Sequence, residues 1–282
     1  MSKRVTTSTF RKMKKSGEKI TVLTAYDYPT ATILDQQGID AILVGDSLGM
    51  VVLGYNDTTQ VTMEDMLHHI KAVSRGTKRA MVIGDMPFLS YHISIQQSVI
   101  NAGSIIREGL AGAVKLEGGK EIIDHVKAIV NAGIPVVGHI GLTPQSVHQF
   151  GGYFIQGKTD EQGQKLLEDA KALEEAGVFA VVLECVTEEV GELITNELSI
   201  PTIGIGAGRK CDGQVLVTHD LLGLYHGNSP KFAKRYANMY NAMGDAINGY
   251  IKEVKEGAFP NENHIFTMDS ENVTKLYTKV KK

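Results

Sequence analysis

The chain has 282 residues, and 29 Lys plus Arg against 32 Asp plus Glu give a formal net charge of −3. That balance excludes a strongly basic nucleic-acid binder, and a hydrophobic content of 43% excludes global disorder. No uncharged apolar run reaches the roughly 18 residues a membrane span needs. The basic N-terminus MSKRVTTSTFRKMKKSGEK has no apolar stretch behind it and does not read as a secretory signal. Cys185 and Cys211 make neither a disulfide framework nor a CxxC site, so a reducing, cytoplasmic compartment is expected.

In chain order, short continuous apolar runs predict strands over Ile20–Thr24, Ala41–Val44, Met81–Gly84, Ala113–Leu116, Pro135–Gly138, Val178–Leu183, Thr202–Ile205 and Gln214–Val217. Continuous rather than alternating apolarity is the mark of strands buried on both faces. Helical patterns lie between them. Thr62 and Asp65 cap a run with Met66, Leu67, Ile70 and Val73 on one face. Ile122, Ile123, Val126 and Val130 mark another helix, and Leu166, Leu167, Ala170 and Leu173 a third that ends near Gly177. Strand alternating with helix means a parallel sheet, and eight strands favour a single closed (β/α)8 barrel over an open doubly wound sheet. The last two strands begin about a dozen residues apart, which leaves little room for a helix between them. A long final helix is expected from about Pro230 to Glu256, with Phe232, Tyr236, Met239, Tyr240, Met243, Ile247, Ile251 and Val254 on its apolar face. It would either close the barrel or make a subunit contact. Gly257–Phe266 then reads as an irregular tail with buried aromatics, so the chain is one barrel with a C-terminal helical extension over about 230–266.

In a parallel α/β barrel the reactive groups project from the C-terminal ends of the strands. Asp46 and Ser47 follow the second run, Asp85 the third, Glu117 the fourth, His139 the fifth and Glu184 the sixth. Lys115 stands two positions before Glu117, on the same side of its strand. One carboxylate past a strand usually caps a helix or meets solvent. Four at one end of a barrel repel each other unless positive charge sits among them. A divalent cation helped by Lys115 answers this, and hard oxygen donors from Asp46, Asp85 and Glu117 suit Mg²⁺, with zinc or cobalt as substitutes. Glu184 lies in the apolar stretch VFAVVLECV and is a candidate general base. Its neighbour Cys185 reads as an inert thiol. His139 would orient a carboxylate or a substrate oxygen, whereas His68, His69 and His92 have no metal spacing and read as packing or surface groups. The run GIGAGRKCDGQ (204–214) lacks the spacing and chain position of a dinucleotide fingerprint and is expected to bring backbone close to a ligand at the barrel mouth.

The segments VGDSLGMVVLGY (44–55), IGDMPF (83–88), AVKLEGG (113–119), GHIGLTPQ (138–145) and IPTIGIGAGRKCDGQVLVTHDLLG (200–223) occur in this order. Together they resemble the ketopantoate hydroxymethyltransferase family over about residues 6–266. The resemblance implies a (β/α)8 barrel of the phosphoenolpyruvate/pyruvate superfamily type, assembled as a homodecamer of two pentameric rings. It implies transfer of a hydroxymethyl group from 5,10-methylenetetrahydrofolate to 3-methyl-2-oxobutanoate, the first committed step of pantothenate synthesis. It also implies Mg²⁺ at Asp46, Asp85 and Glu117, oxo-acid contacts from Asp46, Ser47, Asp85 and Lys115, and Glu184 as the proton acceptor. No nucleic-acid or membrane partner is expected. The rival reading is a metal-dependent 2-oxo acid lyase or mutase of the isocitrate lyase group, whose KxxCGH loop is absent here. A non-catalytic barrel would need neither the metal acids nor Glu184.

Overall fold

The eight apolar runs form eight parallel strands that close on themselves in the order β1 to β8. They are β1 (Ile20–Thr24), β2 (Ala41–Val44), β3 (Met81–Asp85), β4 (Ala113–Glu117), β5 (Val136–Gly141), β6 (Ala180–Glu184), β7 (Thr202–Ile205) and β8 (Gly213–Leu216). This computed structural model describes residues 3–225, 227 and 230–280. The helices are α1 (Thr7–Ser16), α2 (Tyr28–Gln36), α3 (Leu48–Val51), α4 (Met63–Gly76), α5 (Ile95–Arg107), α6 (Ile123–Asn131), α7 (Val147–Phe150), α8 (Asp160–Glu175), α9 (Glu188–Glu197), α10 (Thr218–Leu222), α11 (Met239–Glu256) and α12 (Ser270–Val280).

Strand alternation divides the apolar residues between two cores. Val114 and Leu116 of β4 face outward and pack with Ile70, Ile105, Val126 and Leu173 of the surrounding helices. Ala113 faces inward with Met81, Ile83, Val137, Ala180, Val182 and Val215, which fill the barrel itself. The predicted caps form: Thr62 Oγ1 accepts from Asp65 N (3.1 Å) while Asp65 Oδ2 accepts from Thr62 N (3.0 Å), so α4 begins where the sequence placed it.

Three departures from the sequence reading have physical causes. First, the basic N-terminal arm is helix α1, and its buried Phe10 enters the inner core, edge-on to Phe179 with ring centroids 5.6 Å apart. It plugs the floor of the barrel. Second, the final helix begins at Met239 rather than near Pro230. Residues 230–238 run over the barrel instead: Phe232 packs on the inner core, Ala233 is buried, and the Asn238 side chain caps the helix by accepting from Asn241 N. Third, α11 buries none of its residues, and neither does α12. Phe266 is wholly exposed and Phe259 only half-buried, beside Tyr250 and His264, so the aromatics of the tail do not enter a core.

No helix separates β7 from β8. The 206–212 connection returns to the strand bottom, and two of its glycines lie close against side chains. A Cβ on Gly206 would stand 2.8 Å from the Phe232 ring, and one on Gly208 2.5 Å from Glu188 Cγ. Both have positive φ (68° and 81°). Gly206 and Gly208, with Arg209 and Cys211, line a separate cavity of about 460 Å³.

Candidate active site

Register brings the predicted residues together. Asp85 of β3 pairs with Lys115 of β4, and Glu117 with His139 of β5. Adjacent parallel strands hold paired residues on one face, so these four form one inward layer at the carboxyl end of the barrel. Lys115 sits at its centre, its side chain 4% exposed. Its Nζ lies 3.3 Å from Asp85 Oδ2, 3.6 Å from Glu117 Oε1 and 3.1 Å from His139 Nδ1. Asp46 joins from the turn after β2, its backbone N donating to Asp85 Oδ2 at 3.1 Å. Glu184, at the end of β6, reaches 3.3 Å from His139 Nε2 and keeps its side chain 17% exposed. Ser47 exchanges a hydrogen bond with Tyr26 Oη at 2.9 Å.

Burial sets the electrostatics of the cluster. It raises the carboxyls of Asp46 and Asp85, and Glu117 pushes both further in the same direction; Asp46 ends well above the usual carboxylate range. Glu117 goes the other way: burial opposes its charge, but His139 and Lys115 hold it below its ordinary value. Lys115 is likewise disfavoured by burial, yet Asp85, Glu117 and Asp46 raise it. Burial and Lys115 act against a proton on His139, and Glu117 with Glu184 outweighs them, lifting the ring to about 9. Cys185 is pushed up to about 11, by burial and then by Glu184, so its thiol is inert as expected.

Two uncharged residues that strand-end reading could not find tie the acids in place. Gln145, in the loop after β5, donates from Nε2 to Asp46 Oδ2 (2.8 Å) and to Met86 O (2.9 Å). Its backbone N donates to Glu117 Oε2 at 3.0 Å. Tyr91 Oη donates to Gln145 Oε1 (2.8 Å) and to Glu117 O (2.9 Å). The motif GHIGLTPQ ends on Gln145, which was the signal available. Gly141, between His139 and this loop, has φ 96°, and a Cβ there would come 2.3 Å from Glu184 O. His69 and His92 sit among packing contacts: His69 Nδ1 lies 2.6 Å from Tyr26 O, and His92 rests on the Tyr91 ring.

The layer forms the base of a cavity of about 690 Å³. Asp46, Ser47, Lys115, Glu117, His139 and Glu184 line its polar end, and Met50, Tyr153, Ile155, Tyr225 and Phe232 are among its apolar walls. Among the described residues no three acid, His or Cys side chains converge as a ready-made metal cluster. Glu117 is turned toward Lys115, His139 and Gln145, while Asp85 Oδ1 is buried without a hydrogen-bond partner.

A closed parallel barrel with this charged layer at its mouth is a (β/α)8 barrel with a candidate active site at the carboxyl ends of its strands. The fold matches phosphonopyruvate hydrolase solved with oxalate and Mg²⁺ (TM-score 0.61, 13% identity, 98% of this chain and 96% of that one). It also matches 2,3-dimethylmalate lyase, a member of the PEP mutase/isocitrate lyase superfamily (TM-score 0.57, 15% identity, 97% and 98% covered). These likenesses extend to the fold alone. The chain belongs to the ketopantoate hydroxymethyltransferase family, whose model matches residues 4–262. Relatives named 3-methyl-2-oxobutanoate hydroxymethyltransferase include those of Clostridium novyi (60% identical, 96% of this chain and 99% of the relative) and of a Thermoanaerobacter species (62%, 95% and 98%). That of Acetivibrio thermocellus is 59% identical, with 95% of each covered. The chain is thus a hydroxymethyltransferase of the first step of pantothenate synthesis, transferring the group to 3-methyl-2-oxobutanoate, and its family implies 5,10-methylenetetrahydrofolate as co-substrate. Among the described residues no helix is long and apolar enough to cross a membrane.

Proposed function

We propose that the transfer proceeds by enolisation of the oxo acid at the base of this cavity, with Glu184 taking the proton from C3 and Asp46 and Asp85 holding Mg²⁺. The donor set fits that ion. Asp85 Oδ1 is a buried oxygen with no partner, and both aspartates are crowded by burial and by Glu117. Hard carboxylate oxygens with open positions for water and substrate suit Mg²⁺, which rarely uses an all-protein cage. Glu117, engaged by Gln145 N and Lys115, would be the third acid of the site. The bound ion would supply Lewis acidity at the keto oxygen and stabilise enolate charge.

The chain's own groups do the rest. Lys115 and Ser47 bind the carboxylate end of the oxo acid. Gln145 and Tyr91 fix the rotamers of Asp46 and Glu117, so the site is preorganised before substrate arrives. His139 Nε2 stands 3.3 Å from Glu184 Oε2, and the Glu184 side chain lines the cavity. Water supplies the hydroxyl oxygen: both C–N bonds of the folate's methylene bridge break, tetrahydrofolate leaves, and the C3 carbanion equivalent adds to the resulting formaldehyde-level carbon, whose oxygen takes up a proton. The observation that carries this reading is the position of Glu184: the partly exposed carboxylate at a strand end, in the same cavity as Asp46, Ser47 and Lys115. We also take the assembly to be the homodecamer the family resemblance implies and the compartment to be cytoplasmic; the unburied apolar face of α11 supports self-association.

The test is proton NMR of 3-methyl-2-oxobutanoate in D2O with protein and Mg²⁺ and without folate. The C3 signal should disappear, and EDTA should stop the loss. Glu184→Gln should slow exchange by about 10²–10⁴-fold, the usual contribution of a general base. An unchanged rate in that variant removes Glu184 as the base, and exchange indifferent to EDTA removes the metal.

A further inference from the structure

The cavity is far larger than a five-carbon oxo acid needs; about 300–1,000 Å³ is the range of sites for much larger ligands. Away from the acids of β2 to β6 its charged lining residues are Lys231 and Asp220, the latter on α10 after β8. Asp220 is buried, with 9% of the residue exposed. No hydrogen bond among the described residues engages its carboxylate, although Arg235 is near enough to act on its charge. The helix that carries it is fixed: Thr218 N donates to Thr24 Oγ1 at 3.0 Å, and Thr218 Oγ1 donates to Thr24 O, which ties α10 to the end of β1. A rigidly held carboxylate that lines the cavity and accepts no hydrogen bond among the described residues is open to a ligand that brings donors.

We propose that Asp220 is the recognition group for the pterin ring of the folate co-substrate. The edge of a 4-oxo tetrahydropterin presents two parallel donors, N3–H and the 2-amino group, spaced as a carboxylate accepts them. Phe232 and Tyr225 line the cavity from the segment that follows α10, Tyr153 from the loop after α7 and Met50 from α3, which gives the flat ring apolar surfaces to lie against. Asp220 and Glu184 stand on β8 and β6 sides of one cavity, so a ring held at Asp220 extends its one-carbon end over the oxo-acid layer. Burial raises the Asp220 carboxyl and Arg235 opposes that, in keeping with a group whose donors come with the ligand. The assignment rests on the folate-dependent transfer described above and adds the subsite that reads the folate.

The test uses the intact enzyme with two probes, tetrahydrofolate and its 2-desamino analogue, titrated calorimetrically. Removing the 2-amino group should weaken binding to the parent enzyme by about 10- to 100-fold, the worth of one hydrogen bond to a charged group. Asp220→Asn should lose a similar factor for tetrahydrofolate and bind the two probes almost equally. Its C3 exchange of 3-methyl-2-oxobutanoate with Mg²⁺ alone should match the parent, which also shows that the variant is folded. Unchanged tetrahydrofolate affinity in Asp220→Asn overturns the assignment, and so does a variant that still discriminates fully between the probes. Loss of folate-free exchange in the variant also overturns it, since Asp220 would then serve the oxo-acid site or the fold. Failure of exchange in the parent enzyme would instead strike the enolisation mechanism, and the titrations would still decide the folate subsite.

Discussion

Lys115→Met replaces the central cation of the acid layer with a side chain of similar length. The ammonium lies 3.3 Å from Asp85 Oδ2 and 3.6 Å from Glu117 Oε1. At an effective dielectric constant near 20, each such pair attracts by about 5 kcal/mol. Desolvating an ammonium whose side chain is 4% exposed cancels several kcal/mol of that. Breaking a buried charge network of this kind leaves a net loss of about 3–5 kcal/mol. Urea unfolding of Lys115→Met at neutral pH in EDTA should show that loss. Added Mg²⁺ should recover part of it, because a second cation then meets the same acids. Lowering the pH should also narrow the gap, since Asp46 and Asp85 have raised carboxyls that take up protons early. A loss in EDTA below about 1 kcal/mol, the scale of an exposed pair, would refute the account of Lys115 as the internal counter-ion. So would a deficit that ignores both Mg²⁺ and pH.

Two further outcomes concern the frame. Phe10→Ala empties the barrel floor beside Phe179 and should cost about 3–5 kcal/mol in urea unfolding; an effect under about 1 kcal/mol would mean that α1 does not seal the floor. Asp35 accepts from the backbone N of Ala80 (2.7 Å), Arg79 (2.9 Å) and Lys78 (3.0 Å); burial opposes its charge, but these bonds lower its carboxyl. A lowered folded value stabilises the protein above the ordinary carboxylate pKa, and that stability is lost as pH falls through the lowered value. Asp35→Ala should therefore cost about 1–3 kcal/mol at pH 7 and progressively less below pH ~4; a cost independent of pH would locate the effect elsewhere.

The strands were legible because burial on both faces leaves unbroken apolar runs, and the charged layer because a parallel barrel aims its strand ends at one point. Register did what spacing could not show: it set Asp85 against Lys115 and Glu117 against His139. Gln145 and Tyr91 went unnoticed because neither ionises and both sit in loops, where no periodicity marks which way a side chain turns. Phe10 was hidden for another reason. A single aromatic in a basic, uncapped-looking arm carries no pattern, and only the three-dimensional floor of the barrel shows what it is for. The start of α11 was misplaced because Phe232 and Tyr236 continue its apolar spacing, whereas Phe232 is held on the barrel by tertiary packing.

The floor plug also bears on how the chain folds. Phe10 needs Phe179, Lys14 Nζ needs Asp212 Oδ2 (2.8 Å) and Thr195 O (2.9 Å), and Lys19 Nζ needs Cys211 O (2.6 Å). β1 itself pairs with β8, Ile20 opposite Gly213. The segment synthesised first thus finds much of its lasting company among residues synthesised far later, so barrel closure is a non-local event with a large loop entropy to overcome. Until the chain around β6 and β8 is in place, Phe10 lacks Phe179 and the inner core lacks Ala180, Val182 and Val215. Seven lysines and arginines in the first nineteen residues keep that waiting segment well solvated.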